Sequence, residues 1–238
     1  MIEAFYSGKA GIKANQSALE VLSNNVANVN TTSYKTKEAN FGSLLSISEV
    51  RPETPGSANL LAGTGSAITL VKADMTTGSL STTGEPTDFA INAENGFFAV
   101  KDNTGKTYYT KDGHFQYLKA ANGLVLGTSD GMTVLDSKGN TIGMDKAGNA
   151  AALPGVFSFT NTDGLLSAGG NLYVSTTVSG NAAAANVAPV QGELEQSNVD
   201  LATEMTNMIT TQRGYQFSSS VVSTASQIET MVNELTQG

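Results

Sequence analysis

The sequence predicts an α+β protein: long N- and C-terminal helices packed as a coiled-coil-like pair, flanking a central all-β domain. Three observations carry this. Apolar residues recur at heptad spacing at both ends of the 238-residue chain. Between the ends the apolar runs become short and alternating, and turn residues separate them at hairpin intervals.

At the N-terminal end Phe5, Ile12, Leu19 and Val26 stand seven apart, with Gly8, Asn15, Leu22 and Val29 as a second row three residues on. This is an a/d seam and predicts one helix. Small residues at Ala4, Gly8, Ala10, Gly11, Ala14 and Ala18 let another backbone approach, although Gly8 and Gly11 each cost about 1 kcal/mol of helix propensity. Four asparagines, Asn24, Asn25, Asn28 and Asn30, crowd the end of the same segment. Asparagine competes for backbone hydrogen bonds and is a mediocre helix former, so the cluster predicts polar partners beyond an isolated helix, with Asn30 helping to end it.

At the C-terminal end Leu194, Leu201, Met208, Tyr215 and Val222 repeat the heptad, joined by Met205, Ile209, Ala225, Ile228, Val232 and Leu235. Asn198 is the predicted N-cap, with Asp200 and Glu204 in the early turns where the helix dipole favours anions. A helix from there to Leu235 spans roughly 55 Å at 1.5 Å per residue, longer than a compact domain of this size needs. Its second apolar row, Met205, Ile209 and Ile228, asks for more cover than one helical partner provides.

The middle predicts strands at ITLVKADM (68–75), DFAINA (88–93), GFFAVKD (96–102), KTYYTKDG (106–113), HFQYLKA (114–120), LVLGT (124–128), TVLDS (133–137), TIGMD (141–145), VFSFTN (156–161) and LYVST (172–176). Asn122-Gly123, Asp130-Gly131 and Lys138-Gly139-Asn140 are the turn signals. Residues 31–67 and 177–192, rich in Ser, Thr, Gly, Ala and Asn, show little periodicity and are expected to be extended connectors. The expected organisation is an N-terminal helix (1–30), a connector (31–67), a β domain (68–176), a second connector (177–192) and a C-terminal helical segment (193–238).

Composition narrows function. Thirteen Lys+Arg against 21 Asp+Glu leave a formal net charge of −8, with no basic stripe to neutralise phosphates, so nucleic acid is not an expected partner. Cysteine is absent, which removes disulfides, thiolate metal sites and cysteine nucleophiles, and the single histidine, His114, removes multi-histidine metal sites. No run approaches the roughly 20 apolar residues of a membrane span, and the first residues lack the zones of a cleavable signal.

Short motifs that tempt a catalytic reading read better as structure. GKT at 105–107 has Val100 where a phosphate loop needs Gly, and it sits between strands, so a hairpin turn is expected around Asp102–Gly105. Gly63-Thr64-Gly65 lacks the third glycine of a dinucleotide fingerprint. Asp88, Asp112, Asp130 and Asp136 could supply a carboxylate pair, yet each lies in or beside a glycine turn, where Asp caps its own backbone. His114 is expected at a turn or on the surface, no serine lies in G-x-S-x-G, and the Asn30-Thr31-Thr32 sequon falls at a helix-to-connector junction. No catalytic, cofactor or metal residues are expected.

Ser7-Gly8 with ALEVLSNNVANVNTTSYK (18–35), GSLSTTGEPTDFAINAENGFFAV (78–100), YYTKDGHF (108–115) and QGELEQSNVDLATEMTNMITTQRGYQ (191–216) resemble the bacterial flagellar rod and hook axial-protein family. The resemblance implies a structural subunit of a helical tube, with terminal helices in the inner layer and the β domain outside. It implies partners: further copies of the chain, other axial proteins of rod and hook, and the flagellar type III export apparatus, which would carry the chain without a cleavable signal to the basal body in the cell envelope. It places Phe5, Ile12, Leu19, Leu22, Asn24, Asn25, Val26, Asn28 and Val29 of the first helix at subunit boundaries. From the C-terminal segment it adds Leu194, Leu201, Met205, Met208, Tyr215, Val222, Ile228 and, through the signature Gln212-Arg213-Gly214-Tyr215, Arg213.

Two departures stand out: Ser33 occupies a turn position where many relatives have Gly, and Lys9 a position where many have Met. Hook members are usually longer, with an extra outer domain for which this chain has no room, and RPETPGSANLLAGTGSAITL (51–70) resembles a shortened distal-rod connector. The resemblance therefore favours a distal-rod subunit over a proximal-rod or short hook subunit. From other classes, a secreted carbohydrate-binding or adhesive β module and a cell-wall hydrolase remain as alternatives.

Overall fold

The computed structural model describes residues 2–44, 46–48, 61–63, 65–120, 123–143 and 150–237. The chain divides into two units. The first comprises residues 1–27, 37–72 and 200–238, and the second residues 28–36 and 73–199.

In the first unit the terminal heptads form the helices that the spacing predicts, α1 (Ile2–Ala27) and α2 (Leu201–Gln237). Helix α2 begins later than expected. Asp200, not Asn198, caps it: Asp200 Oδ1 accepts from Ala202 N (3.0 Å), its Oδ2 accepts from the Thr203 hydroxyl (2.8 Å), and its carbonyl takes the first helical bond from Glu204 N (2.9 Å). Asn198 is spent elsewhere, within the second unit. Leu194 consequently leaves the helical heptad and lies on a strand.

Strands β1 (Lys37–Ser43) and β4 (Ser66–Ala73) form a two-stranded sheet, and β2 (Ser46–Ser48) pairs antiparallel with β3 (Leu61–Gly63). Residues 37–43, 46–48, 61–63 and 66–67, expected as extended connector, are thus paired backbone, and residue 45 lies outside the described residues. In β1, KEANFGS, a polar and glycine-containing composition hides a half-buried and exposed alternation that only pairing with β4 creates. Residues 49–60 and 64 of the same stretch, including Thr64 of Gly63-Thr64-Gly65, lie outside the described residues, as do Asn122 and positions 144–145 of the predicted strand TIGMD.

The second unit contains β5 (Leu80–Thr82), β6 (Phe89–Ala90), β7 (Gly96–Lys101), β8 (Thr107–Thr110), β9 (Gln116–Ala120), β10 (Gly123–Gly127), β11 (Thr133–Val134), β12 (Val156–Ser158), β13 (Leu166–Gly169), β14 (Leu172–Val174), β15 (Ala183–Ala184), β16 (Val190–Gln191) and β17 (Glu193–Glu195). Nine of them form one sheet in the order β13-β14-β8-β7-β11-β10-β9, with β12 also paired to β7 and β15 to β12. The pairs β16–β6 and β17–β5 are separate ribbons.

Strand β7 organises the core, because both of its faces are covered. Phe98 and Val100 join Phe89, Ile91, Phe115, Leu126, Val134, Ile142 and Val156 on one side, and Phe97 joins Phe159 and Tyr173 on the other. Edge-to-face ring pairs set the spacing, with centroids 5.2 Å apart for Phe98–Phe115 and 5.6 Å for Phe97–Phe159. The turn at Asp102–Gly105 closes the β7–β8 hairpin, with Gly105 at φ +89° donating its N–H to the Asp102 carbonyl (2.9 Å). The predicted TIGMD strand is reduced to single bridges, Leu135 with Thr141 and Val125 with Gly143.

Candidate assembly surface

Helices α1 and α2 run antiparallel, and small residues set their approach. A Cβ on Gly8 would meet Val222 Cγ2 at 2.7 Å, one on Gly11 would meet Ser218 Oγ at 2.9 Å, and one on Gly214 would meet Asn15 Oδ1 at 2.9 Å. Gly214, a helix-weakening residue within an apolar helix, is therefore at a point of close approach. On α1 the buried side of the contact runs through Gly8, Ala14, Ala18 and Asn25, while Ile12, Leu19 and Val26 are half-buried and Phe5 is exposed. The row containing Phe5, Ile12, Leu19 and Val26 flanks the contact; Gly8 and Asn15 of the second heptad row, with Gly11 beside them, make the closest approach.

The asymmetry is sharper on α2. From Leu201 to Leu235, Glu204 is buried and Met208, Thr211, Gly214, Ser218, Val222 and Ala225 are half-buried; every other residue is exposed. Leu201, Met205, Ile209, Tyr215, Phe217, Val221, Ile228, Met231, Val232 and Leu235 lie among the exposed large apolar residues, Phe217 at 73% and Leu235 at 82%. Exposed apolar surfaces of this continuity are a general mark of interaction sites, which makes this face the candidate. Seven hydroxyls of the helix are already bonded: those of Thr206, Thr210, Thr211, Ser218, Ser220, Thr224 and Thr230 each donate to the carbonyl four residues earlier. A surface whose hydroxyls are already bonded can be dried at little cost. Arg213 is exposed on the same helix.

The asparagine cluster divides. Asn25 is fully buried within the protomer: its Nδ2 donates to Lys37 O (2.8 Å) and Glu204 Oε2 (3.1 Å), and its Oδ1 accepts from Lys37 N (3.0 Å). It ties α1, α2 and β1 together, so the expectation that it faces a neighbouring subunit is corrected to an internal role. Asn28 is half-buried at the end of α1, where Thr31 donates both its N–H to the Asn28 carbonyl and its hydroxyl to Asn28 Oδ1. Asn24 and Asn30 are exposed. Leu194 is likewise withdrawn from the surface, 7% exposed on β17 opposite Ser81.

Within the second unit the segments 28–36 and 193–199 meet. Ser33 sits at φ +53°, donates its N–H to Glu195 O (2.9 Å) and donates its hydroxyl to Lys111 O (2.9 Å). Lys35 Nζ forms a buried ion pair with Glu195 Oε1 at 2.5 Å and also donates to Thr76 O. Asn198 Oδ1 accepts from Thr36 N (2.8 Å), and Asn198 Nδ2 donates to Asp74 O (3.0 Å). Beside the pair lies a second buried lysine, Lys111, whose pKa falls to about 8: burial lowers it most, Lys35 repulsion adds to that, and attraction to Glu195 and Glu94 opposes both. Nothing in the apolar periodicity marks Lys35, Lys111 or Glu195. Two of the turn carboxylates bond local groups: Asp88 accepts from Thr83 Oγ1 (2.7 Å) and contacts His114 Nδ1 (3.1 Å), while Asp112 accepts from Thr32 Oγ1 (3.1 Å) and His114 N (3.1 Å).

Two family descriptions match the chain's ends: flagella basal body rod protein at residues 5–35, and the C-terminal part of the flagellar basal body rod FlgEFG proteins at residues 190–235. The flagellar basal-body rod protein FlgG of Bacillus subtilis is 33% identical, in an alignment covering 96% of this chain and 97% of the relative. The chain belongs to the flagellar basal-body rod protein family. FlgG of Agrobacterium fabrum is 33% identical over 94% of this chain and 95% of its own length, and the flagellar hook-basal body complex protein FlhP of Bacillus subtilis is 29% identical over 99% and 100%. This rod-family chain is a structural subunit of the flagellar basal body. Both matched segments contain the residues that meet at Lys35 and Glu195 and at Asn25 and Glu204. Among the described residues, no helix is long and apolar enough to cross a membrane.

Proposed function

We propose that this rod subunit is of the distal rod, and that copies polymerise into a helical tube that transmits torque from motor to hook by rigidity. The single observation that carries the reading is α2: a 37-residue helix on which one residue from Leu201 to Leu235 is buried and ten large apolar side chains are exposed. An isolated protomer gains nothing from that surface, whereas neighbouring copies would dry it, at about 25 cal/mol per Å² of apolar area.

In this reading residues 1–30 and 193–238 contribute the inner assembly domain, its two helices pairing in coiled-coil fashion, with 31–67 and 177–192 as connectors and 68–176 as the outer β domain. Phe5, Ile12, Leu19, Leu22, Asn24, Val26, Asn28 and Val29 of the N-terminal segment, and Leu201, Met205, Met208, Arg213, Tyr215, Val222 and Ile228 of α2, line contacts between copies. Different patches on the two sides of each protomer generate an open filament. The other axial proteins of rod and hook cap its two ends, the flagellar type III export apparatus delivers the chain, and catalysis plays no part.

Electron microscopy of concentrated protein tests this. Ordered tubes are expected from the natural chain, and monodisperse particles from the variant carrying Leu201→Ser, Met205→Ser, Ile209→Ser and Tyr215→Ser, with its β domain still folded. Tubes of normal length and order from that variant would refute the assignment of α2 as the assembly surface.

A further inference from the structure

The buried charges of the second unit tie together the two segments that lead to the helices. Segment 28–36 follows α1 and segment 193–199 precedes α2, so these two arms are where the chain passes between its helices and the second unit. Each arm satisfies the other. Ser33 N donates to Glu195 O, Thr36 N and its hydroxyl donate to Asn198 Oδ1, and Lys35 Nζ bonds Glu195 Oε1.

The wall that receives them also supplies polar groups. Gly78 N donates to Glu195 Oε1 (2.8 Å), Thr76 O accepts from Lys35 Nζ, and Lys111 O accepts from the Ser33 hydroxyl. Lys35 is 0% and Glu195 1% exposed at the side chain. Among the described residues Glu195 Oε2 is buried with no hydrogen-bond partner, so its charge is balanced through space by Lys35 and Lys111. Lys111 Nζ is held by the carbonyls of Ala93 (3.3 Å) and Met75 (3.4 Å) and stands 5.3 Å from the Phe97 ring centroid.

We propose that Lys35, Glu195 and Lys111 form an internal latch that docks the two arms in one cooperative step, so that the points from which α1 and α2 depart are set together or not at all. Docking the 28–36 arm alone would bury Lys35 beside Lys111 with no Glu195 to offset their repulsion. Docking the 193–199 arm alone would leave Glu195 without its hydrogen-bonded ammonium partner. Both are far less favourable than leaving the arms in water. Half-docked protomers are thereby suppressed. The latch acts within one chain and holds whether or not copies polymerise, so its failure is separable from failure of the assembly reading.

Hydrogen exchange resolved along the full-length chain tests it, in dilute monomer. Glu195→Gln is expected to raise exchange at least tenfold at residues 33–36 as well as at 193–198, while β7 residues 97–100 keep their protection. Faster exchange confined to 193–198, with 33–36 as protected as before, would overturn the latch. Should Glu195→Gln lower protection in β7 too, the double variant Lys35→Met with Glu195→Leu decides. Restored protection of both arms relative to either single change supports the latch, and a double variant no better protected than the worse single one overturns it.

Discussion

Strand β7 and helix α2 both carry runs of large apolar residues, and they dispose of them in opposite ways. Five consecutive residues of β7, Gly96 to Val100, are buried on two faces by side chains of the same unit. Along α2, Gly214, Ser218 and Val222 approach α1 while ten large apolar residues remain exposed. The β unit is a core that closes on itself; the helical unit has a seam built for close backbone approach and an apolar surface left over. Where hydrophobic residues are placed, rather than how many there are, separates a core closed on itself from a helix pair with apolar surface to spare.

The widest gap between the two regions should appear when a large side chain is truncated in each. Phe98→Ala removes a ring packed against Phe115 at the centre of the β core and is expected to cost about 3–5 kcal/mol in urea unfolding followed through the β signal. A smaller loss there would mean that β7 is less central than its burial indicates. Asn25→Ala comes next, because it strands Lys37 N and removes one partner of Glu204: about 1–3 kcal/mol is expected from the helical unit, read by loss of helical circular dichroism, with the β core unmoved. Equal loss of both signals would erase the distinction between the units.

Alkaline pH sharpens the comparison, since Lys111 belongs to the β unit alone. Its folded pKa, about 8, lies below the ordinary 10.5. The unfolded chain therefore binds more protons between those values, and stability rises as pH increases from 8 towards 10, on the order of 1 kcal/mol by pH 9.5. Tyr173, pushed up to about 12 by burial, acts in the opposite direction only above pH 10. Lys111→Met should flatten the rise; a stability that falls between pH 8 and 9.5 in the natural chain would contradict the burial of Lys111.

Ser33 offers a finer probe. At φ +53° a serine is strained, and glycine relieves about 1 kcal/mol there while giving up the hydroxyl bond to Lys111 O, so Ser33→Gly should be within ~1 kcal/mol of neutral. A β-branched residue has no such compensation, and Ser33→Val should be clearly destabilising in the same urea titration. The smallest effect belongs to the outward face of α2. Phe217→Ser should change monomer stability by no more than ~0.5 kcal/mol, yet shorten the polymers seen by microscopy. A large monomer penalty would show that Phe217 is covered within its own chain.

Much of this architecture was legible in the residues. Heptad spacing marked both helices, alternation marked β7, β8, β9, β10, β12 and β14, and the exposed row Met205, Ile209 and Ile228 anticipated more apolar surface than a single partner covers. The helix contact was legible in part. The small residues Gly8 and Gly11 marked the close approach, and Gly8 and Asn15 stand in the second heptad row, whereas the larger row, Phe5, Ile12, Leu19 and Val26, only flanks the contact because small side chains permit a shorter approach. Strand β1 was hidden by its polar composition, and the helix start moved from Asn198 to Asp200 because Asn198 bonds Thr36 and Asp74.

Periodicity is a local property, and it sufficed to specify two amphipathic helices and a β-rich centre, while the family was legible through the motifs at 18–35, 78–100, 108–115 and 191–216. The Lys35–Glu195 pair spans 160 residues of sequence and the Asn25–Glu204 bond spans 179, and neither belongs to any repeating pattern. Such contacts come into being only when distant segments fold against each other. In water a lone lysine and a lone glutamate are each content with solvent, and burial is what makes each require the other.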